Sequence, residues 1–465
     1  MTKKARIIYS VVVGFSALYN FTLPLHPDEA YYWVWSRNLQ LSYFDHPPMV
    51  AYLIKMMTLL GQHEFVIRLV SVFCVAGAAY LVYRLAEDMF NSRVAEISLG
   101  VFLFMPLVQS GFIVVTPDSP LVFFWTLTFY CFYNYVFREK RKYIYLAGIA
   151  AGMLLLSKYT GVLLLGSLFF YLTFSKKRKL FKRPELYAAG VLALLVFLPV
   201  IIWNYQHGWA SFKFQFSHGV ADKKVFNPSA LGEFIASQVM VFNPVFATGF
   251  LILFIKNIKD VIKNKYLYLL TWPFAFTLLF FVYNSAFKKA EANWAGPAYI
   301  TAAIILAYWI DKHKLKKFFI AGLIMAIFLI IVMRFPEFIP GYPEQAVLKK
   351  DFYGHNFIYS EASQYLGPGI ILSDSYQNAS EAQFYLKGRP EVYIITQTRY
   401  SNYNLWSKEV KENIENGEIK EAIYIGASDK KDELLTYFDD VYLLDRIKYN
   451  GRFVQRLFYV YRCYN

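Results

Sequence analysis

The chain is short of cysteine and short of charge. Its three cysteines, Cys74, Cys131 and Cys463, build no disulfide framework and no zinc-like spacing, and the first two lie inside apolar runs. Charged residues make up 17% of the chain and hydrophobic ones 57%, whereas an ordinary soluble domain is ~25% charged. A soluble enzyme with a large core is therefore excluded, because the apolar excess is gathered into runs of lipid-crossing length. No long internal repeat and no low-complexity segment occurs, which counts against a transporter built from repeated halves. The 7 histidines never fall into a metal-ligand spacing such as H-x-x-x-H. Acidic residues are also scarce, 33 against 48 basic ones, for a net charge of +15. That surplus does not point to nucleic acid. The Lys and Arg sit in short loops between apolar runs, where membrane orientation accounts for them.

What is present is a series of apolar runs near 7–24, 65–84, 94–115, 119–137, 143–158, 160–175, 185–204, 231–255, 266–284, 297–311 and 318–334. A spanning helix needs ~20 apolar residues, so about eleven spans are expected. One set of loops is basic (KKAR, REKRK, KKRKLFKR, KNIKDVIKNK, KHKLKK), and it alternates with loops that are acidic, aromatic or uncharged. The basic set is read as cytoplasmic. An odd number of spans then puts the C-terminal region outside. The start, MTKKAR followed by an apolar run with no small-residue cleavage site, reads as an uncleaved first helix. The 44 Phe, 38 Tyr and 9 Trp suit belts at the membrane interfaces and a lipid-facing groove.

Composition changes after Arg334. PEFIPGYPE reads as a linker, which divides the chain into a membrane domain, 1–334, and a C-terminal domain, 335–465. Apolar β-rich runs at 369–372, 392–396, 422–425, 441–444 and 453–461 alternate with helix-period stretches near 357–366, 378–387, 404–415 and 430–437. The alternation predicts a small α/β domain.

The chemistry-bearing residues gather in the outer loops. HPDEAYYWVW carries Asp28 and Glu29 just behind Pro27, at the start of a predicted helix. Carboxylates there complement the helix dipole for ~0.3–1 kcal/mol each. Two adjacent carboxylates at the mouth of a membrane helix also read as a reaction centre, because charges at the hydrocarbon are costly and tend to be functional. FDHPPMVAYLI predicts a second interfacial helix, with Asp45 and His46 before it, where an anion could meet helix N–H groups. In TPDSP, Thr116 reads as a cap, and Asp118 is read either with it or as a member of the outer site. Lys158, with Tyr159 in SKYTG, has no positive-inside reason to stand on the outer side and calls for an anion, a carboxylate or a phosphate, unless it snorkels. His207 to Gly219 reads as a long outer loop containing Lys213. FKKAEANWAGPAY adds Lys288, Lys289, Glu291 and Asn293, where the lysines again suggest an anionic ligand.

Taken together, HPDEAYYWVWS, YFDHPPMVAYLI, TPDSPL, SKYTG, HGWASFKFQ and EANWAGPAY resemble the bacterial GT-C glycosyltransferases that use polyprenyl-phosphate sugars. These include the lipid A aminoarabinose transferase, the lipopolysaccharide galacturonic acid transferases and the dolichyl-phosphate-mannose protein mannosyltransferase-like enzymes. SDSYQNASEAQFYL and RYSNYNLW are similar to the C-terminal domain of that group. The resemblance implies a polytopic α-helical bundle with two juxtamembrane helices in the first periplasmic loop, a small periplasmic α/β domain and a bacterial inner-membrane location. It implies an acidic residue of the first loop at the catalytic centre, here Asp28 with Glu29 beside it. In the aminoarabinose enzyme a lysine precedes the Pro-Pro pair and is implicated in binding the donor phosphate. This chain has His46 there, which puts weight on Lys158 and Lys288.

The expected activity is inverting transfer of one sugar from a polyprenyl-phosphate donor to lipid A or lipopolysaccharide core. Asp28 and Glu29 are expected to act at the reacting centre. His46, Lys158 and Lys288 would bind the donor phosphate. Asp45, Asp118, Tyr159, His207, Glu291 and Asn293 would position donor and acceptor. No cofactor is obligatory and no metal ligands are assigned, with a divalent cation on Asp28 and Asp118 as the open alternative. Membrane lipids, and not nucleic acid, are the expected surroundings. A protein O-mannosyltransferase-like enzyme is the alternative within this class, and a non-catalytic lipid or sugar transporter is the alternative outside it.

Overall fold

The computed structural model describes residues 1–219, 225–343, 347, 349–396 and 398–465. It forms two compact units. The first comprises Met1–Asn20, Leu41–Leu53 and Arg68–Val332, and the second Phe21–Gln40, Ile54–Ile67 and Met333–Asn465.

The first unit is helical. Among the described residues four helices, Glu64–Met89, Pro184–Gln206, Lys265–Ser285 and Lys316–Arg334, are long and apolar enough to cross a membrane, or up to 6 spans if bent pairs are each counted as one. The expected eleven is thus met only in part by this measure, because several of the apolar runs are broken. The run at 94–115 divides into helices Ser92–Leu103 and Pro106–Gly111, since Pro106 has no N–H with which to continue the ladder. The run at 231–255 divides into Pro228–Phe242 and Pro244–Lys256, bent by 103°. Asn243 makes that bend at φ 95°; its Oδ1 accepts the N–H groups of Val245 and Phe246, and its amide donates to the Gly322 carbonyl at 2.9 Å.

Small residues let helices approach closely, as is common in membrane interfaces. A Cβ on Gly148 would lie 2.4 Å from the Ala189 carbonyl oxygen, so helices Lys142–Ser157 and Pro184–Gln206 meet backbone to backbone.

In the second unit, β1 (Ile370–Leu372), β2 (Val392–Tyr393), β3 (Glu421–Gly426), β4 (Asp440–Asn450) and β5 (Gln455–Tyr464) form one sheet in the order β2-β1-β3-β5-β4. β1 pairs in parallel with β2 and β3, while β5 runs antiparallel to β3 and β4. Helices His355–Ala362, Tyr376–Tyr385 and Lys408–Glu415 fall in or beside the predicted stretches. β4 runs well past the predicted 444. Its extension, DRIKYN, is polar apart from Ile447 and Tyr449 and so carries no apolar run.

Both helices expected in the first loop are present, Pro27–Arg37 and Met49–Met57. The former, called here the acidic helix, packs on Tyr376–Tyr385 within the second unit.

Candidate active site

The acidic helix begins with a reciprocal cap. Pro27 takes the first helical position, where its missing N–H costs nothing. His26 stands before it, and its Nδ1 accepts the Asp28 N–H at 3.2 Å. Glu29 Oε2 accepts the His26 N–H at 2.9 Å. The two neighbouring carboxylates therefore diverge. Glu29 is fully buried in the cap, whereas the Asp28 side chain is 38% exposed, with Oδ2 3.9 Å from His26 Nδ1.

In the first unit, three residues from distant parts of the sequence form one polar cluster. Lys158 follows directly on helix Lys142–Ser157 in an extended conformation (φ −159°) and is buried. Its Nζ lies 2.7 Å from Asp118 Oδ1. The second oxygen of that carboxylate accepts the Asn293 amide at 2.7 Å. Asp118 opens helix Asp118–Arg138, and the expected cap is displaced by one residue: Pro117, not Thr116, takes the N-cap position, and Thr116 Oγ1 receives the Asp118 N–H at 3.2 Å just ahead of the helix. Asn293 sits in the short turn Ala292–Ala295. The amide of Gln238 donates to the Ala292 carbonyl at 3.1 Å, and the Tyr299 hydroxyl donates to Gln238 Oε1 at 2.9 Å. Sequence reasoning missed Gln238 and Tyr299, which lie in apolar runs and carry no local signal. Asp118 and Asn293 also border a cavity of about 260 Å³ whose other walls, including Val75, Phe102, Leu107 and Ile300, are mostly apolar.

The remaining candidates are distributed around other contacts. Asp45 is buried, and its carbonyl accepts the Gln215 amide at 2.5 Å. The His46 carbonyl accepts the Tyr43 N–H at 3.3 Å, in the turn before Met49–Met57. The Tyr159 hydroxyl lies 2.8 Å from Ser211 Oγ. The His207 ring stacks on Trp203 at 4.0 Å and places Nδ1 2.8 Å from the Trp203 carbonyl oxygen. Lys288 Nζ donates to the Ser217 carbonyl at 2.8 Å, and Glu291 is exposed.

The predicted loop from 207 to 219 is corrected. Ala210–Gly219 is a helix, reached through a tight turn in which Trp209 adopts φ 63° and donates its N–H to the Asn204 carbonyl. Phe212 and Phe214 anchor it, against Tyr159 and Phe44 respectively, an aromatic role hidden by the neighbouring glycines. The side chain of His218 lies outside the described residues. Among the described residues, no group of three or more His, Cys, Asp or Glu is placed to hold a metal ion.

A family model described as dolichyl-phosphate-mannose-protein mannosyltransferase matches residues 45–203. The lipid A galacturonosyltransferase RgtD of Rhizobium johnstonii is 26% identical over 314 residues, covering 66% of this chain and 66% of the relative, so the match spans just under two thirds of that protein. ArnT from Cupriavidus metallidurans is similar in fold over nearly the whole of both chains. Its apo structure gives a TM-score of 0.71 at 14% identity, covering 98% of each chain. Its structure bound to undecaprenyl phosphate gives 0.72 at 14% identity, covering 99% of this chain and 98% of that one.

Proposed function

From a chain of GT-C glycosyltransferase fold, as its motifs already suggested, we propose an inverting enzyme that moves one sugar from a polyprenyl-phosphate donor to lipid A or lipopolysaccharide core. It would work at the periplasmic face of the bacterial inner membrane, with its N-terminus in the cytoplasm and residues 335–465 in the periplasm. The observation that carries this reading is Lys158, buried and paired with Asp118, whose carboxylate is also held by Asn293 and borders a mostly apolar cavity. A cation fixed through a carboxylate that borders greasy space suits a phosphate on a prenyl tail. The relative named for lipid A and the similar fold solved with undecaprenyl phosphate support the same donor and acceptor classes.

In the proposed reaction the acceptor hydroxyl oxygen attacks the anomeric carbon and the bond from that carbon to the phosphate oxygen breaks. The polyprenyl phosphate leaves with both electrons of that bond. Its second pKa is ~6, so it departs unprotonated near neutral pH and needs cations more than a general acid. Lys158 supplies that charge from a fixed position, which costs no reorganisation during the step. Lys288 and His46 assist at the phosphate. Asp28 accepts the acceptor's proton, being the exposed carboxylate of the acidic pair, while Glu29 holds the helix start through its cap. Asp118 and Asn293 orient Lys158. Asp45, Tyr159, His207 and Glu291 position the sugar and acceptor.

A second reading, transfer to a protein hydroxyl, is favoured by the mannosyltransferase description of the family model. Mass spectrometry of outer-membrane lipids from cells with and without the protein separates the two. A sugar-sized mass gained by lipid A supports the first reading. Unchanged lipids with a newly glycosylated periplasmic protein would replace it with the second.

A further inference from the structure

The acidic helix belongs to the same compact unit as the C-terminal domain, and the contacts between them are specific. Trp33 sets its ring edge-on to Phe384 with centroids 4.9 Å apart, and its indole N–H donates to Gln62 Oε1 at 2.8 Å. Arg389 donates to the Gln62 carbonyl at 2.7 Å and lies over the Trp33 ring at 5.7 Å. The Tyr385 hydroxyl accepts the Leu25 N–H at 2.8 Å and donates to Glu64 Oε1 at 3.2 Å. Further along the helix, the Tyr31 hydroxyl accepts the Asn402 N–H at 2.9 Å. One helix of the C-terminal domain and the turn after it therefore grip the segment before Asp28, the helix body behind it, and the returning end of the same loop at Gln62 and Glu64.

We infer that the C-terminal domain serves to hold the Asp28-bearing helix in register, with Phe384, Tyr385 and Arg389 as positioning residues for the Asp28 carboxylate. This rests on the reading of Asp28 as the base. The physical reason for such a mounting is the reach of a carboxylate. A general base must stand within ~2.6–3.2 Å of the proton it takes, and a helix only 11 residues long cannot hold itself at that tolerance. A misplacement of ~1 Å can cost ~100-fold in rate. Phe384 and Tyr385 lie near 350 residues away in sequence from the helix they grip, so the chain returns to its own first loop after all its apolar runs.

The test uses the full-length protein in nanodiscs, with Phe384→Ala, Phe384→Leu, Tyr385→Phe and Asp28→Asn. Amide exchange over Pro27–Arg37 should speed up in Phe384→Ala, while exchange in β3 and β5 stays as in the parent. The rate of sugar transfer, followed by the lipid mass gain in cells, should fall ~10-fold or more. Binding of undecaprenyl phosphate should stay within about twofold, and Phe384→Leu should recover most of the rate. Tyr385→Phe should show a smaller loss of the same kind. Unchanged exchange over Pro27–Arg37, or faster exchange there with a parental transfer rate, would overturn the inference. So would a rate that falls only in step with folded protein. If instead Asp28→Asn transfers sugar at the parental rate, the assignment of the base fails, while the exchange data still decide whether the domain holds the helix.

Discussion

Lys158 Nζ and Asp118 Oδ1 are 2.7 Å apart, and the pair is built from residues 40 positions apart in sequence. The ammonium side is buried, and the carboxylate side is fixed by Asn293. An ion pair in this setting is weak evidence for stability by itself, because desolvation offsets much of the attraction. Its value is geometric. It keeps a cation at one address, where, on the function proposed above, an incoming phosphate would meet it.

Replacing Lys158 by Met should lower sugar transfer ~100-fold, the scale seen when one fixed donor to a developing anion is removed. Binding of undecaprenyl phosphate should weaken as well. The Lys158→Met, Asp118→Ala double variant should be little worse than Lys158→Met alone, because Asp118 acts through the lysine. A transfer assay on the four proteins of that cycle decides the point, and full additivity would separate the two roles.

The acidic pair should split. Asp28→Asn should reduce transfer by ~10²–10⁴-fold, as expected for a lost general base, at an unchanged melting temperature. Glu29→Ala should chiefly lower the melting temperature, since loss of a helix cap costs ~1 kcal/mol. Scanning calorimetry beside the transfer assay reads both.

His355 gives a pH dependence. It is buried at the start of helix His355–Ala362, and burial, aided by the charges of Arg456 and His26, lowers its pKa from 6.5 to about 3. The folded protein thus resists protonation that the unfolded chain accepts. Its contribution to stability is complete above pH 6.5 and is lost progressively as the pH falls from 6.5 towards 3. Melting curves should show a smaller loss between pH 7.5 and 4.5 in His355→Phe than in the parent.

Gly111 borders the cavity beside Asp118. A Cβ there would meet Val75 Cγ2 at 3.6 Å, an ordinary contact, so a larger side chain can enter the space. Gly111→Leu should weaken binding of undecaprenyl phosphate about tenfold, equivalent to ~1.4 kcal/mol, and leave binding of a short-chain isoprenyl phosphate nearly unchanged.

Much of this arrangement was legible in the sequence, and the gaps have physical causes. The five strands of the C-terminal domain stood out because their buried residues are apolar and mostly β-branched or aromatic, and β4 was cut short where it becomes polar. The need of Lys158 for an anion followed from a lone charge between apolar runs, but no local pattern could name a partner 40 residues earlier. The start of the acidic helix was visible in Pro27 and its two carboxylates. The division of labour between Asp28 and Glu29 was not, because His26 is an unusual cap. Hydropathy averaged over 231–255 passed across Asn243 without registering the bend. The grip of Phe384 and Tyr385 on the acidic helix is a tertiary contact between sequence ends, to which periodicity is blind.

Arg389 carries one more consequence. Its backbone sits at φ 51°, in the left-handed region, immediately after Gly388 at φ 82°. For a residue with a Cβ that conformation costs ~1–2 kcal/mol, and glycine would relieve it. Yet only a long side chain with several donors can clasp Gln62 and cover Trp33 from this turn. A glycine at position 389 would therefore trade backbone comfort for a loosened first loop, so this tight corner is a place where a sturdier protein and a working one call for different residues.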